Sequence, residues 1–236
     1  MAEFRVGTSG YSYKAWKGTF YPEKLPQKDM LRYYSSQLGT VEINNTYYRM
    51  PKPALLQGWL AQVPASFRFV LKAPQRITHI KRLKACEDDV AYFHQVAQHL
   101  GDQRGPTLYQ LPPNLKCDLP RLEALLTALP ACERAAFEFR HPTWLVDEVY
   151  AALRTRGAAL CVADVDEADA STPRLATAPW GYLRLRREAY SPAALTDWAT
   201  WIRGQGFTEA YVFFKHEDGG AGPAFARRLT ELLAAP

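Results

Sequence analysis

The chain has 236 residues, 47% hydrophobic and 22% charged, which is enough apolar material for one large core and too little charge imbalance for a disordered chain. Its formal net charge of +5, from 29 basic and 24 acidic residues, favours anionic ligands but is too mild to mark nucleic-acid binding by itself. The four cysteines (Cys86, Cys117, Cys132, Cys161) form no CxxC pair, the N-terminus lacks a signal-type apolar stretch and no segment has membrane-span length, so a cytoplasmic protein without a disulfide or zinc framework, and without a membrane partner, is expected.

Short apolar strands alternate with longer helical segments. Strands are predicted at 4–7, in the 40–51 stretch starting at Thr40, and at 67–72, 107–111, 135–140, 158–164, 181–185 and 210–214. Helical spacing occupies 28–38, 54–62, 87–100, 119–129, 143–155, 192–204 and 223–234. Each interval suits one strand–helix unit, and eight such units close into a single-domain α/β barrel of TIM type, (β/α)8. The sixth crossover, 165–180, carries little helical pattern and is expected to be irregular.

The second strand is the most informative. Val41 and Ile43 are apolar and β-branched, so period-two alternation places Glu42 and Asn44 together on the other face, with Asn45 just beyond. Tyr47 and Tyr48 follow at the expected strand exit, before Pro51. A buried carboxylate is costly unless paired or bound to something, so this face is expected to look into a pocket.

Barrels present their functional groups at the carboxyl ends of the strands. In chain order those ends carry Ser9, Glu42 with Asn44 and Asn45, Lys72, Gln110, Glu138 with Arg140 and His141, Asp164, Arg184, and Lys215 with His216 and Glu217. Glu42 and Glu138 are the candidate general acid/base pair and His141 a candidate proton shuttle. Glu138 beside Arg140 equally suits a satisfied ion pair at the barrel rim, and His141 a loop hydrogen bond. Lys72, Arg140, Arg184 and Lys215 give a cationic lining suited to phosphate or carboxylate, or else neutralise the carboxylates. Tyr11 and Trp144 are aromatic candidates for stacking on a ligand, whereas Trp16 and Phe20 suit a hydrophobic lid. Glu42, Glu138, His141, Asp164, His216 and Glu217 are metal-ligand types without an HExxH arrangement, so no cofactor is predicted and a divalent metal is compatible but not required. His94 and His99 do not share a helix face and read as surface residues.

The chain resembles the YecE-like family, known as domain of unknown function 72. The resemblance is carried by Gly7-Thr-Ser-Gly-Tyr-Ser-Tyr13, the 16–22 segment from Trp16 to Pro22, the 40–48 segment from Thr40 to Tyr48, Ile77-Thr-His79, the 105–113 segment ending in Pro112-Pro113, Glu138-Phe-Arg-His141 with Trp144, and Phe213-Phe-Lys-His-Glu217. It implies a TIM barrel and no established reaction. Where many relatives carry Arg-x-His-Gly after strand seven this chain has Arg184-Leu-Arg-Arg187, and where many have an Asn/Asp pair after strand eight it has Lys215-His216-Glu217, so roles at those positions do not carry over.

Together these features lead to an expected enzyme, of hydrolase or isomerase type, acting on an anionic sugar-, polyol- or nucleotide-like ligand. The alternative is a non-catalytic module binding nucleic acid or a phosphorylated metabolite.

Overall fold

A computed structural model describes residues 2–167, 172–215 and 219–234. Eight parallel strands close a barrel in sequence order: β1 (Glu3–Ser9), β2 (Thr40–Ile43), β3 (Arg68–Lys72), β4 (Arg104–Gln110), β5 (Ala135–Glu138), β6 (Ala159–Asp164), β7 (Trp180–Leu185) and β8 (Glu209–Phe214). The (β/α)8 expectation therefore holds. β6 and β7 are buried at every position, as parallel strands covered on both faces must be. Alternation divides their side chains. Val70, Leu108, Ala136, Cys161, Tyr182, Tyr211 and Phe213 fill the barrel interior, while the other faces pack against the helices.

The outer layer comprises α1 (Met30–Ser35), α2 (Asn45–Tyr48), α3 (Pro53–Leu60), α4 (Glu87–Ala97), α5 (Leu119–Ala128), α6 (Asp147–Arg156), α7 (Pro192–Gly204) and α8 (Ala221–Ala234). Local chemistry fixes several ends. Asp118 accepts a hydrogen bond from Arg121 N at the start of α5, and Ser191 accepts one from Ala194 N at the start of α7, each followed by proline in the first turn. α6 has Asp147 and Glu148 in its first turn and stops at Gly157, whose φ of 68° is left-handed. Between β6 and β7 no helix forms among the described residues, in line with an irregular sixth crossover.

Two local expectations change, at residues 45–48 and at the start of α6, and the connection after β3 gains a turn for which no expectation was set. Residues 45–48 are a short helix, so Tyr47 and Tyr48 belong to the first turns after β2 and not to the strand exit. The segment after β3 contains a π-helical turn, Arg76–Ile80, which carries His79. α6 begins at Asp147, later than predicted, because the His141 ring caps a separate turn at Pro142–Trp144.

Trp16, Phe20 and Tyr21 are buried and pack edge-on or stacked against one another and against Tyr33 and Tyr34 of α1. The lid reading suits Trp16 and Phe20. Tyr34 then anchors the seam between β1 and β2: its hydroxyl accepts from Thr8 N and donates to Thr40 O, both at 2.9 Å.

Candidate functional site

At the carboxyl ends of the strands the interior changes from apolar to ionic. Two residues above Tyr182 on β7, the same face carries Arg184, which is almost wholly buried. Its Nη2 donates to Glu42 Oε1 at 2.8 Å and its Nη1 to Glu138 Oε2 at 2.6 Å, so one guanidinium bridges β2 and β5 across the barrel. Glu42 also accepts from the hydroxyls of Ser9 and Tyr182, the latter at 2.6 Å. Glu138 accepts from Gln110 Nε2 at 2.8 Å, and its second oxygen lies 3.1 Å from Arg186 Nη2. Each carboxylate is thus held by charge-assisted donors from at least two strands.

The electrostatics follow. Burial alone would keep Glu138 neutral, but Arg184, Arg186 and the Gln110 amide outweigh it and hold its pKa at about 2. Arg184 is buried too, yet Glu42 and Glu138 push its pKa up and keep it charged. Glu138, pinned in this way, holds a charged frame and is a poor proton donor at neutral pH, which argues against it as the acid of the expected Glu42–Glu138 pair. The rim ion pair expected between Glu138 and Arg140 does not form; the partners of Glu138 are Arg184 and Arg186.

Above this frame lies a cationic mouth. Lys72, at the end of β3, donates to Gln110 Oε1 at 2.7 Å and sits 4.2 Å from the centre of the Tyr47 ring. Burial lowers its pKa to about 8; Arg184 and Arg140 push the same way, against Glu42 and Glu138. His79 packs edge-on to Tyr47 with ring centres 4.9 Å apart, and its pKa is lowered by burial, then by Lys72 and Arg140. Among the described residues Lys72, His79 and Arg140 make no ion pair. In this neighbourhood two carboxylates face Arg184, Arg186 and Lys72, with Arg140 beyond.

The remaining sequence candidates are distributed as follows. Ser9, Gln110 and Arg184 join Glu42 and Glu138 in the frame, and Lys72 stands above it on Gln110. Asn44 and Asn45 line a cleft of about 270 Å³ between the first two strand–helix loops, together with Tyr11. Asp164 lies on the opposite strand face from Cys161 and is tied to Arg187, Nε to Oδ1 at 2.9 Å, so it does not face the barrel axis. His141 hydrogen-bonds Thr143 within its own turn, 2.9 Å from Nδ1 to Oγ1, as its loop reading anticipated. Trp144 corrects the stacking expectation: it is buried, lies parallel to Phe139 at 4.9 Å, and donates from Nε1 to Leu115 O at 2.7 Å, so no ring face is open. Lys215 is exposed at the end of β8, and His216, with Glu217, lies outside the described residues.

His94 also corrects its surface assignment. It is buried on α4, with Nε2 3.0 Å from Tyr109 Oη and Nδ1 3.2 Å from the Glu133 carboxylate. Its place one turn after Val90 and one turn before Ala97 on the buried face was the available signal. Sequence reasoning also missed Tyr182 and Arg186, although Tyr182, two residues before Arg184, has the same strand face, and Arg186, just past the end of β7, follows Arg184 at the same interval of two. Among the described residues no three His, Cys, Asp or Glu side chains gather as a cation site, and no helix is long and apolar enough to cross a membrane.

Comparison with known proteins gives consistent relationships. The family described as "Protein of unknown function DUF72" matches residues 5–236. UPF0759 protein YecE of Escherichia coli K12 is 34% identical over 113 residues, 48% of this chain and 42% of that protein. UPF0759 protein YunF of Bacillus subtilis 168 is 24% identical over 144 residues, 56% of this chain and 50% of that protein. The chain thus spans about half the length of the curated relatives it matches. The crystal structure of a DUF72 family protein from Thermotoga maritima MSB8 superposes with a TM-score of 0.83 at 27% identity, covering 99% of this chain and 100% of that one. One from Enterococcus faecalis V583 gives 0.79 at 18% identity, covering 100% and 99%, and speaks to the fold alone.

Proposed function

Since this chain belongs to the DUF72 family, whose description assigns no reaction, we propose from its own side chains that the barrel mouth binds a small phosphate- or carboxylate-bearing ligand of sugar, polyol or nucleotide type and that Lys72 exchanges a proton with it. The observation that carries this reading is Lys72 itself: a partly buried ammonium resting on an amide and an aromatic ring, with no carboxylate of its own among the described residues. An anion entering there would supply the missing counter-charge, with Arg140 at the entrance as a second, planar partner. A lysine with a pKa near 8 gives up its proton far more readily than an ordinary one and suits general acid/base work near neutrality. In this scheme Glu42, Glu138 and Arg184 form a rigid charged floor. The reaction type that fits is an isomerisation or hydrolysis needing one mobile proton beside a fixed anion site.

Calorimetric titration with inorganic phosphate, and turnover screening with phosphorylated sugars, polyols and nucleotides, test the proposal. Phosphate binding and any turnover found should be lost in Lys72→Met with the fold intact by circular dichroism. Unchanged phosphate affinity in both Lys72→Met and Arg140→Ala would remove the mouth as the anion site.

A second reading is favoured by one observation: both buried carboxylates are already committed to Arg184. In that case the mouth holds a phosphorylated metabolite without converting it, and the same titration shows affinity while no product forms.

A further inference from the structure

The face beside the mouth holds three adjoining clefts that share one floor. A cleft of about 540 Å³ lies along α2 and the start of α3, one of about 270 Å³ lies between the first two strand–helix loops, and one of about 490 Å³ lies between the first loop and α3. Trp59 lines all three; Asn45 joins the first to the second, and Tyr11 with Gln27 joins the second to the third. They form a continuous trench, and its wall chemistry is biased. Among the described residues no Asp or Glu lines any of the three clefts, whereas Arg49, Lys52 and Lys28 do. The amides of Asn44, Asn45, Gln27 and Gln62, together with hydroxyls, supply the other polar groups.

Over the trench stands an aromatic ring that the fold leaves bare. Tyr48, at the end of α2, is 73% exposed, although it touches Tyr47 edge-on at 4.8 Å and Tyr47 in turn carries Lys72. Exposing a large aromatic ring costs burial that a packed position would have gained, and beside it Leu55 is 49% exposed as well. An acid-free trench with basic residues along it, amides on its walls and an open aromatic face matches the needs of one polymer: a negatively charged backbone in extended form with flat rings to stack. A duplex hides those ring faces, whereas a single strand offers them. An acidic peptide would satisfy the basic residues but leave the ring unused.

We propose that this trench binds single-stranded nucleic acid, with a base stacked on Tyr48 and backbone phosphates against Arg49, Lys52 and Lys28. The proposal does not depend on Lys72 binding an anion, since Lys72 lines none of the three clefts.

Fluorescence anisotropy with labelled oligothymidylate and oligouridylate of about 12 nucleotides, a length within the site sizes of stacking platforms, provides the test. Tyr48→Ala should weaken binding about tenfold or more while Tyr48→Phe keeps it, because the ring and not the hydroxyl does the stacking. Arg49→Gln and Lys52→Gln should each lower the slope of log affinity against log salt by about 0.7, the value for one lost phosphate contact on a single strand. All three positions are exposed, so circular dichroism should be unchanged in the four variants. Three results overturn the proposal: no binding at low salt, equal affinity in Tyr48→Ala, or displacement by polyglutamate as efficient as by unlabelled oligonucleotide, which would make the trench an acidic-peptide site. The phosphate titration of Lys72→Met reports on the mouth separately, so either proposal can fail without the other.

Discussion

Arg184 on β7 and Glu138 on β5 meet inside the barrel with Nη1 2.6 Å from Oε2, and the other arm of the same guanidinium reaches Glu42 on β2 at 2.8 Å. The three residues are nearly inaccessible to water, so their charges are stabilised chiefly by one another and, among the described residues, by Ser9, Gln110, Tyr182, Arg186 and nearby Lys72. Removing one member of a buried ion pair leaves an uncompensated charge, at a cost of about 3–5 kcal/mol. Arg184→Met is therefore expected to lower unfolding stability by that amount in urea denaturation. Adding Glu42→Gln and Glu138→Gln to it should restore much of the loss. An Arg184→Met variant as stable as the parent would mean that water already compensates these charges.

Glu138 makes the frame sensitive to acid with a definite sign. Its pKa falls from the ordinary 4.5 to about 2 in the folded chain. Because the folded value is the lower one, the unfolded chain binds the proton first, and the stabilisation is present above about 4.5 and lost as pH falls from there towards 2. The full effect of that shift is roughly 3 kcal/mol. Urea titrations across this window should give a shallower acid limb for Glu138→Gln than for the parent, whatever its absolute stability. Parallel limbs would show that Glu138 does not have the depressed pKa.

How far the site was legible depended on whether a signal was local. Alternation along β2 and β7 places Glu42 and Arg184 on the interior face, and the strand–helix rhythm brings both to one end of a barrel. Their partnership was not legible, because contact across the barrel spans 142 residues and depends on the register of strands that are not neighbours. Local proximity misled instead: Arg140 stands two residues from Glu138, but β5 ends at Glu138, so the alternation that would have aligned the two no longer applies. The short helix at 45–48 was missed for a similar reason. Asn45-Thr-Tyr-Tyr48 carries β-favouring residues, and the bond from Thr46 Oγ1 to Lys72 O at 2.7 Å, which docks that turn on β3, is a tertiary contact.

Gly7 on β1 is the point where strand geometry tolerates least. A Cβ placed there would lie 2.1 Å from Thr40 O, a backbone atom of the neighbouring strand that Tyr34 also holds through its hydroxyl. The backbone oxygen cannot rotate away, so the β1–β2 seam must open. Gly7→Ala is expected to destabilise by about 3 kcal/mol or more, while Gly39→Ala, where nothing lies within 4 Å, should change stability by less than about 0.5 kcal/mol. Thermal and urea unfolding of the two variants make the comparison; similar losses for both would show that the seam is not the cause.

Lys72 can be read directly by its reactivity. Its pKa of about 8, against 10.5 for an ordinary lysine, leaves a much larger neutral, nucleophilic fraction near neutral pH than the exposed lysines have. For stability the sign is opposite to that of Glu138: the folded chain prefers the neutral amine, so the cost of burying the ammonium is present below pH 8 and is relieved as pH rises from about 8 to 10.5. Limited acylation followed by peptide mass spectrometry should show Lys72 modified first, with a rate that levels off just above pH 8. Inorganic phosphate bound at the mouth would hold the ammonium form and shift the Lys72 profile to higher pH, by about one unit for each 1.4 kcal/mol of interaction. A Lys72 profile that follows the exposed lysines would contradict the depressed pKa, and one that phosphate leaves unmoved would place the anion elsewhere.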